Sequence, residues 1–287
     1  MKTIITIYLL LGAITIQAQL PFPFLGNNDR YGLRTGDGTV IVQPKYENIY
    51  PFSEGLALVH TGDIMANNTQ YGFIDSTGKE IIPLKYKMAW DFRDGLAKVQ
   101  YAGKWGFIDK ADNAIIPFDY EEADEFSEDL AAVQKDYLWG FIDRNNNVVI
   151  PFRYDGAGGF WEGFSAVLVR RKYGFINKAG IAVIQPQFEE TAAFSEGLCG
   201  VMNDEKKWGF IDTSGKLVIQ YRYDLVSWSK EGMAAVSKNG LWGFIDKTGR
   251  QVTPVHFRSA EDFKNGKAKV ELNSREFYID KKGKEVK

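Results

Sequence analysis

Apolar and polar residues alternate in short segments along this chain, and the segments recur in a fixed order. Residues 96–101 read Leu-Ala-Lys-Val-Gln-Tyr, with Ala97 and Val99 on one side and polar side chains on the other. A period of two is typical of a half-exposed β-strand. Residues 105–109 follow a Gly-Lys turn and are apolar on both faces, which favours a strand inside a sheet.

A third and shorter strand is predicted at Ile115–Ile116, ending at Pro117. Proline donates no backbone hydrogen bond, so we expect it where the strand reaches a sheet edge. The segment 120–129 should then be a connecting loop with a buried Phe126. One unit is therefore predicted to be a three-stranded antiparallel meander plus a loop.

The same unit returns along the whole chain, marked by an aromatic residue directly before a glycine. Most of these glycines stand 34 residues apart, as Gly72, Gly106 and Gly140 do. A unit of this size cannot bury its own apolar face and becomes stable by stacking on the next copy. The seven steps are Tyr31-Gly32, Tyr71-Gly72, Trp105-Gly106, Trp139-Gly140, Tyr173-Gly174, Trp208-Gly209 and Trp242-Gly243.

The unit closely resembles the WG, or KWG, repeat family of bacterial proteins. The motifs that carry the resemblance are Lys-Trp-Gly-Phe-Ile-Asp at 104–109, Ile-Ile-Pro at 115–117 and Phe-Ser-Glu-Asp-Leu-Ala at 126–131. The match extends over residues 29–287. Such arrays resemble exported or cell-associated modules, and the family supplies no catalytic residues to transfer.

We therefore predict an all-β fold with about seven three-stranded antiparallel units in tandem, within one domain at 29–287. Because the repeat is shorter than the ~40 to 45 residues of a propeller blade, an open β-solenoid or superhelix is favoured. The alternative is a closed, propeller-like toroid.

The N-terminal residues have the parts of a secretory signal peptide. Lys2 precedes a short apolar run, and Ala18 provides a small residue at the expected cut. We expect residues 1–18 to be removed and 19–28 to be a linker. The run is shorter than the roughly 20 apolar residues of a spanning helix. The mature protein should be periplasmic, cell-surface or secreted, with no transmembrane segment.

The composition of the chain argues against several classes of function, among them nucleic-acid binding and metal-dependent catalysis. The net charge of −2 and the absence of a basic face speak against nucleic-acid binding. Cys199 is the single cysteine, so no intrachain disulfide forms, and its column otherwise holds alanine or serine, which predicts a small core residue. His60 and His256 have no partners at metal-ligand spacing. We predict no metal, no cofactor and no catalytic residues.

Acidic residues recur in columns and are explained first by structure. Aspartates such as Asp75 and Asp143 precede turns, which favours turn capping over calcium binding. Glutamates such as Glu54 and Glu128 also fill one column, and a catalytic carboxylate pair cannot be picked out of such a series.

Departures from the repeat are better candidates for a binding site. Trp90 and Trp161 lie outside the usual aromatic columns, and Trp228 stands one place before an expected phenylalanine. Exposed tryptophans on loops can stack on sugar rings or anchor a protein. The alternative is packing, with Trp228 replacing the missing phenylalanine in the core. The glycine-rich run before Phe160 and Trp161 allows close approach of a ligand. The candidate binding residues are Trp90, Trp161, Phe160 and Trp228.

Two functions remain open at this point. The favoured one is an exported, non-catalytic repeat module that binds or scaffolds an unknown protein or glycan of the cell envelope. The alternative is a cell-envelope enzyme, acting on glycans, with a site on the loops between strands. A concave pocket holding carboxylates with perturbed pKa values, outside the repeat columns, would favour the enzyme.

Overall fold

The structure is a computed structural model that describes residues 20–63 and 65–286. These residues form 30 β-strands and no helix. The proposed signal peptide, residues 1–18, lies outside the described residues. The predicted all-β tandem array of antiparallel meander units is confirmed. The chain divides into two compact units, and the single domain at 29–287 remains a prediction.

The first unit comprises the described residues up to Ala97 together with Lys110–Asp112. Its sheets run β1-β2-β3 and β4-β5-β6-β7. Its strands are β1 (Phe22–Leu25), β2 (Tyr31–Arg34), β3 (Val40–Tyr46), β4 (Asn48–Ser53), β5 (Leu56–Thr61), β6 (Gln70–Asp75), β7 (Glu80–Tyr86) and β8 (Met88–Ala89).

The second unit comprises Lys98–Asp109 and the described residues from Asn113 onward. Its first three strands are β9 (Ala97–Tyr101), which begins one residue earlier, β10 (Lys104–Ile108) and β11 (Ala114–Tyr120). Two four-stranded sheets follow: β12 (Glu122–Ala123), β13 (Ala131–Lys135), β14 (Leu138–Ile142) and β15 (Val148–Tyr154), then β16 (Gly156–Ala157), β17 (Phe164–Val169), β18 (Lys172–Asn177) and β19 (Ala182–Phe188).

The remaining three sheets have four, three and four strands, in chain order within each sheet. Their strands are β20 (Glu190–Thr191), β21 (Leu198–Met202), β22 (Trp208–Asp212) and β23 (Leu217–Tyr223); β24 (Leu225–Val226), β25 (Met233–Lys238) and β26 (Leu241–Asp246); and β27 (Ser259–Ala260), β28 (Lys267–Leu272), β29 (Arg275–Asp280) and β30 (Glu285–Val286).

Two details of the unit differ from the sequence prediction. The connecting segment contributes a two-residue fourth strand, such as β12, which pairs with β13. The third strand does not end at its proline: β11 continues to Tyr120, and Pro117 lies within it. The reason is a register shift between Trp105 and Phe107, which places Pro117 at a bulge of an edge strand. At a bulge the strand does not need a backbone N–H from this residue, so proline is tolerated there.

The segment expected to be a linker at 19–28 also contains a strand. Residues Phe22–Leu25 pair with Tyr31–Arg34 in the first sheet. The guanidinium of Arg34 lies 5.2 Å from the ring centroids of both Phe22 and Phe24. The added strand therefore gives Arg34 two aromatic neighbours, while Arg34 itself remains exposed.

The bulge explains why the repeat needs its glycine. A Cβ placed on Gly140 would lie 2.7 Å from the carbonyl oxygen of Ile150, closer than any real Cβ contact. At Gly106 the same atom would lie 2.6 Å from the carbonyl oxygen of Ile116. The edge strand lies so close to the aromatic-glycine strand at this point that no side chain fits between them.

Consecutive sheets share one core within each unit. Phe141 and Ile150 of one sheet are buried together with Val167 and Ile176 of the next. In the first unit, Leu33 of the first sheet is buried with residues of the second in the same manner. The expected mutual burial of apolar faces by neighbouring copies is thus confirmed.

A phenylalanine ladder runs through this core. Phe141 lies with its ring centroid 5.0 Å from that of Phe160, a spacing at which tilted aromatic pairs attract each other. Phe73 and Phe92 repeat the contact at 4.8 Å in the first unit. Phe92 and Phe160, the buried phenylalanines of these two connecting segments, are therefore structural residues.

Candidate functional site

Most acidic columns of the repeat are used by the fold. The carboxylate of Asp143 accepts hydrogen bonds from the backbone N–H groups of Asn145 and Asn147, at 2.9 and 2.8 Å. These bonds hold the turn between β14 and β15. No group of three or more His, Cys, Asp or Glu residues suited to a metal ion occurs among the described residues.

Five glutamates of one repeat column each join their copy to the next. Glu231 accepts a hydrogen bond of 2.9 Å from the N–H of Gly266, and its carboxylate lies 3.1 Å from the ammonium of Lys281. These two contacts lower the pKa of Glu231 below its ordinary value. We call this contact the glutamate clamp; it recurs between Glu54 and Gly95, Glu128 and Gly163, Glu162 and Gly197, and Glu196 and Gly232.

Cys199 is a core residue, as its column indicated. It is buried, and burial raises the pKa of its thiol to about 12, although Thr191 and the carbonyl of Ala192 act in the opposite direction. A thiol with so high a pKa stays protonated near neutral pH and is a poor nucleophile.

Two of the predicted tryptophans lie side by side in the second unit. The ring centroids of Trp161 and Trp228 are 6.0 Å apart, at an interplanar angle of 49°. Both side chains are exposed, at 48% and 44%. They come from different connecting segments, separated by a complete copy of the repeat, so the fold and not local sequence brings them together.

Trp228 does not replace the missing phenylalanine in the core. Ser229 occupies that buried position, and its hydroxyl donates a 3.0 Å hydrogen bond to Glu196 of the preceding copy. The phenylalanine ladder is interrupted at this copy, and the aromatic ring one place earlier points outward. The ammonium of Lys230 lies 5.7 Å from the Trp228 ring centroid.

Trp161 also occupies a place that other copies use for structure. In three copies this place holds a serine, Ser53, Ser127 or Ser195, whose hydroxyl donates to a backbone carbonyl of the next copy. Tryptophan has no hydroxyl group to make that bond. Local departures from a consistent repeat are expected at functional sites, because they sacrifice packing or hydrogen bonds.

Small residues open a groove beside the two rings. Gly158, Gly159, Ala192 and Ala193 line a cavity of about 300 Å³ together with Trp161 and Trp228. We call this cavity the tryptophan groove. A Cβ on Gly158 would meet no atom within 4 Å, so the groove is open at the backbone of this residue.

A larger cleft continues from the tryptophan groove and shares Gly158, Ala166 and Thr191 with it. Its volume is about 770 Å³, and it adds aromatic and charged side chains. We call it the adjoining cleft; its further lining residues include Trp139, Arg171, Tyr173, Glu189 and Glu190.

Glu189 is held ionised in the adjoining cleft. The ammonium groups of Lys172 and Lys206 lie 2.7 and 2.6 Å from its two oxygens. They lower the pKa of Glu189 to about 2. A carboxylate with this pKa cannot serve as a general acid near neutral pH, whereas it can accept hydrogen bonds.

The other predicted residues lie elsewhere. Phe160 is fully buried against Phe141, so it supports the loop from inside and offers no surface to a ligand, which corrects its place among the binding residues. Trp90 lies in the first unit, 37% exposed, beside a separate cavity with Tyr50, Tyr71 and Asp91.

Several lining residues escaped the sequence analysis because they occupy ordinary repeat columns. Trp139 and Tyr173 precede repeat glycines, and Arg171 belongs to a basic turn that reads as solvated. Besides Trp161 and Trp228, the sequence signal for this region was the glycine-rich run 156–159, whose residues line the cleft and the groove.

Comparison with known proteins agrees with the repeat. The family model described as WG containing repeat matches seven stretches: residues 31–63, 71–105, 105–139, 139–173, 173–206, 208–242 and 242–275. Comparison with curated proteins gave no match.

One solved structure has a similar fold at low sequence identity, and two others match over most of the chain with lower scores. A structure titled as the eukaryotic initiation factor is similar with a TM-score of 0.62 and 10% identity, covering 93% of this chain and 84% of that one. The computationally designed Ika8 protein matches with a TM-score of 0.49, 10% identity and coverages of 92% and 98%. BamB from Moraxella catarrhalis matches with a TM-score of 0.47, 9% identity and coverages of 86% and 89%.

Proposed function

Because the chain belongs to the family of WG containing repeat proteins, we propose that it is an exported, non-catalytic binding module whose ligand lies across the tryptophan groove. The observation that carries this proposal is the exposed Trp161 and Trp228 pair, at 6.0 Å, beside a cavity whose floor is glycine and alanine. Large aromatic surfaces over an open backbone are typical of ligand sites.

A glycan is the ligand class that fits this surface best. The apolar face of a sugar ring can lie on an indole ring, and its hydroxyl groups need charged or polar partners nearby. Arg171, Glu189 and Glu190 supply such partners in the adjoining cleft. The cleft and groove share three lining residues, so an oligosaccharide could contact both.

The pKa values and contacts of the carboxylates near the groove favour binding over catalysis. Glu189 has a pKa of about 2 and is engaged by two lysines, and the recurring glutamates hold the copies together. A glycoside hydrolase usually needs one carboxylic acid with a raised pKa beside a second carboxylate. Asp91, whose pKa is raised by burial, lies in the first unit beside Trp90 and outside this groove.

Export is part of the proposal and rests on residues 1–18, with Lys2, the apolar run and Ala18 at the expected cut. Among the part of the chain that the structure describes, no helix is long and apolar enough to span a membrane. The proposed location is periplasmic, cell-surface or secreted, and the proposed partner is an envelope glycan.

The experiment is a glycan array with the mature protein, followed by titration of the hits. We expect Trp161→Ala and Trp228→Ala each to weaken binding by roughly 30-fold, because an aromatic hot spot contributes about 2 kcal/mol. Gly158→Leu should also weaken binding, since its Cβ would meet no atom within 4 Å and the rest of the side chain would occupy space in the groove.

Tyr137→Ala is the matched control, because Tyr137 is an aromatic residue of the same unit that is 84% exposed and outside the groove. Its affinity should equal that of the unsubstituted protein. A blank array would contradict the glycan proposal. Hits that survive all three groove substitutions would place the site elsewhere.

A further inference from the structure

A second aromatic cavity lies in the first unit, around Trp90. Its volume is about 250 Å³. We call it the Trp90 cavity; its lining consists of Tyr50, Leu58, Tyr71, Met88, Ala89, Trp90 and Asp91.

Three aromatic rings contribute to the Trp90 cavity. Tyr50 and Tyr71 both lie near His60, with ring centroids 6.1 and 5.0 Å from that of the imidazole. His60 pairs with Tyr71 across β5 and β6 and is 6% exposed, so the two tyrosines rest on a buried ring within a sheet. Trp90 follows β8 directly and keeps an exposed indole at the cavity.

A carboxylate with one buried oxygen accompanies the rings. Asp91 lines the cavity, and its Oδ1 is buried and receives no hydrogen bond from the described residues. Burial raises the pKa of Asp91, and the charge of Arg93 acts in the opposite direction without offsetting it. A buried acceptor without a donor is costly, typically about 1–3 kcal/mol, and such groups call for an explanation.

Aromatic faces and a negative charge together select one class of ligand. A cation over an aromatic face is attracted by the electron-rich ring, and a nearby carboxylate adds Coulomb attraction in a site of low polarity. Metal ions instead need several oxygen, nitrogen or sulfur ligands, and the described residues provide no such group. Methylated ammonium ions carry their charge on weakly hydrated methyl groups and lose little on entering an apolar cavity.

We propose that the Trp90 cavity binds a small methylated ammonium cation, held on the faces of Tyr50, Tyr71 and Trp90 and balanced by the charge of Asp91. This site is independent of the tryptophan groove, because its residues belong to the other unit. A chain with both sites would take a neutral sugar surface in one place and an organic cation in another.

The test uses choline and tetramethylammonium as probes, with 3,3-dimethylbutan-1-ol as the uncharged analogue of choline. Binding to the mature protein is measured by titration calorimetry and by the fluorescence of the tryptophans. We expect both cations to bind saturably and the alcohol to bind about tenfold more weakly, because only the cations gain from the rings and the carboxylate.

Two variants examine the two parts of the site. Asp91→Asn removes the charge and keeps the shape, and Trp90→Leu keeps an apolar side chain and removes the π-face. Each should weaken choline binding about tenfold and leave the alcohol unchanged. Trp161→Ala is the control in the other unit and should bind choline like the unsubstituted protein, while thermal unfolding verifies that all variants fold.

Four outcomes would overturn the proposal. They are no saturable binding of either cation, equal binding of the alcohol, choline binding that is unaffected by Asp91→Asn and Trp90→Leu, and an equal loss in Trp161→Ala. Because Trp161→Ala and Trp90→Leu report on different units, failure of the glycan proposal and failure of the cation proposal are distinguishable.

Discussion

Gly140 illustrates how one residue determines the shape of a copy. Because Gly140 has no side chain, the edge strand β15 can lie very close to its antiparallel partner β14. The carbonyl oxygen of Ile150 then occupies the space next to Gly140 that a Cβ would need. Periodicity alone could not reveal this, because glycine in a strand pattern indicates only a bulge or a close approach. The sequence shows that glycine recurs at this place. It does not show that the carbonyl of Ile150 is the group that approaches it.

We expect Gly140→Ala to lower the free energy of unfolding by about 1–3 kcal/mol, the range for overpacked cores. Gly158→Ala is the matched control, since its Cβ would meet no atom within 4 Å. Urea unfolding of the two variants provides the measurement. Equal stability of both proteins would show that the close approach to Ile150 does not constrain the fold.

The candidate site was predictable in part at this scale. Trp161 and Trp228 stood out because they break repeat columns, and both prove to be exposed neighbours. Phe160 was misjudged because its neighbour in sequence is exposed while it is buried against Phe141. Adjacent residues in such a segment face opposite ways, and the repeat column of Phe160 was the better guide to its burial.

At the scale of elements, the strands that alternate cleanly were predictable and the short ones were not. The Leu-Ala and aromatic-glycine strands follow the sequence pattern, as β13 and β14 do. Two-residue strands such as β12 carry too few positions for a period to be seen. The prolines misled because their bulge lets the edge strand continue beyond them.

The glutamate clamp makes the connection between elements sensitive to acid. The N–H of Gly266 and the ammonium of Lys281 lower the pKa of Glu231 below its value of 4.5 in an unfolded chain. A carboxylate with a depressed folded pKa stabilises the protein above the unfolded pKa, and this contribution disappears as the pH falls through the folded pKa. Stability should therefore decrease below about pH 4.5.

Urea unfolding at several pH values checks this expectation with Glu231→Gln. The variant should be less stable at pH 7 and should lose less stability between pH 5 and pH 3 than the unsubstituted chain, since one titrating contact is gone. Glu205→Gln is the control, because Glu205 is exposed and outside the clamps. Parallel curves for all three proteins would contradict a stabilising role for the clamp.

For the whole molecule, stability comes from copies that cover one another. The core residues of one sheet are buried by those of the next, as Ile150 and Val167 are. The order of the copies and their all-β class followed from the repeat alone. The place where two distant connecting segments meet could not be predicted from the repeat. It depends on the angle between successive sheets, which no local sequence pattern encodes.

A peptide of residues 122–154, one complete sheet, should be unfolded in water. Chains below ~40 residues rarely bury enough surface to fold without disulfides, metals or partners. Circular dichroism should show a disordered spectrum for the peptide and a cooperative thermal transition for the full chain. A peptide with its own cooperative transition would refute the interdependence of the copies.

The distance of 6.0 Å between Trp161 and Trp228 depends on the single copy that separates them in sequence. Repeat proteins can lengthen or shorten by gaining or losing whole modules while every module-to-module junction stays intact. In this chain such an event between the two residues would preserve the architecture and abolish the juxtaposition. The proposed binding of a ligand by these two residues therefore depends on the number of intervening modules, which a change of copy number can alter in one step.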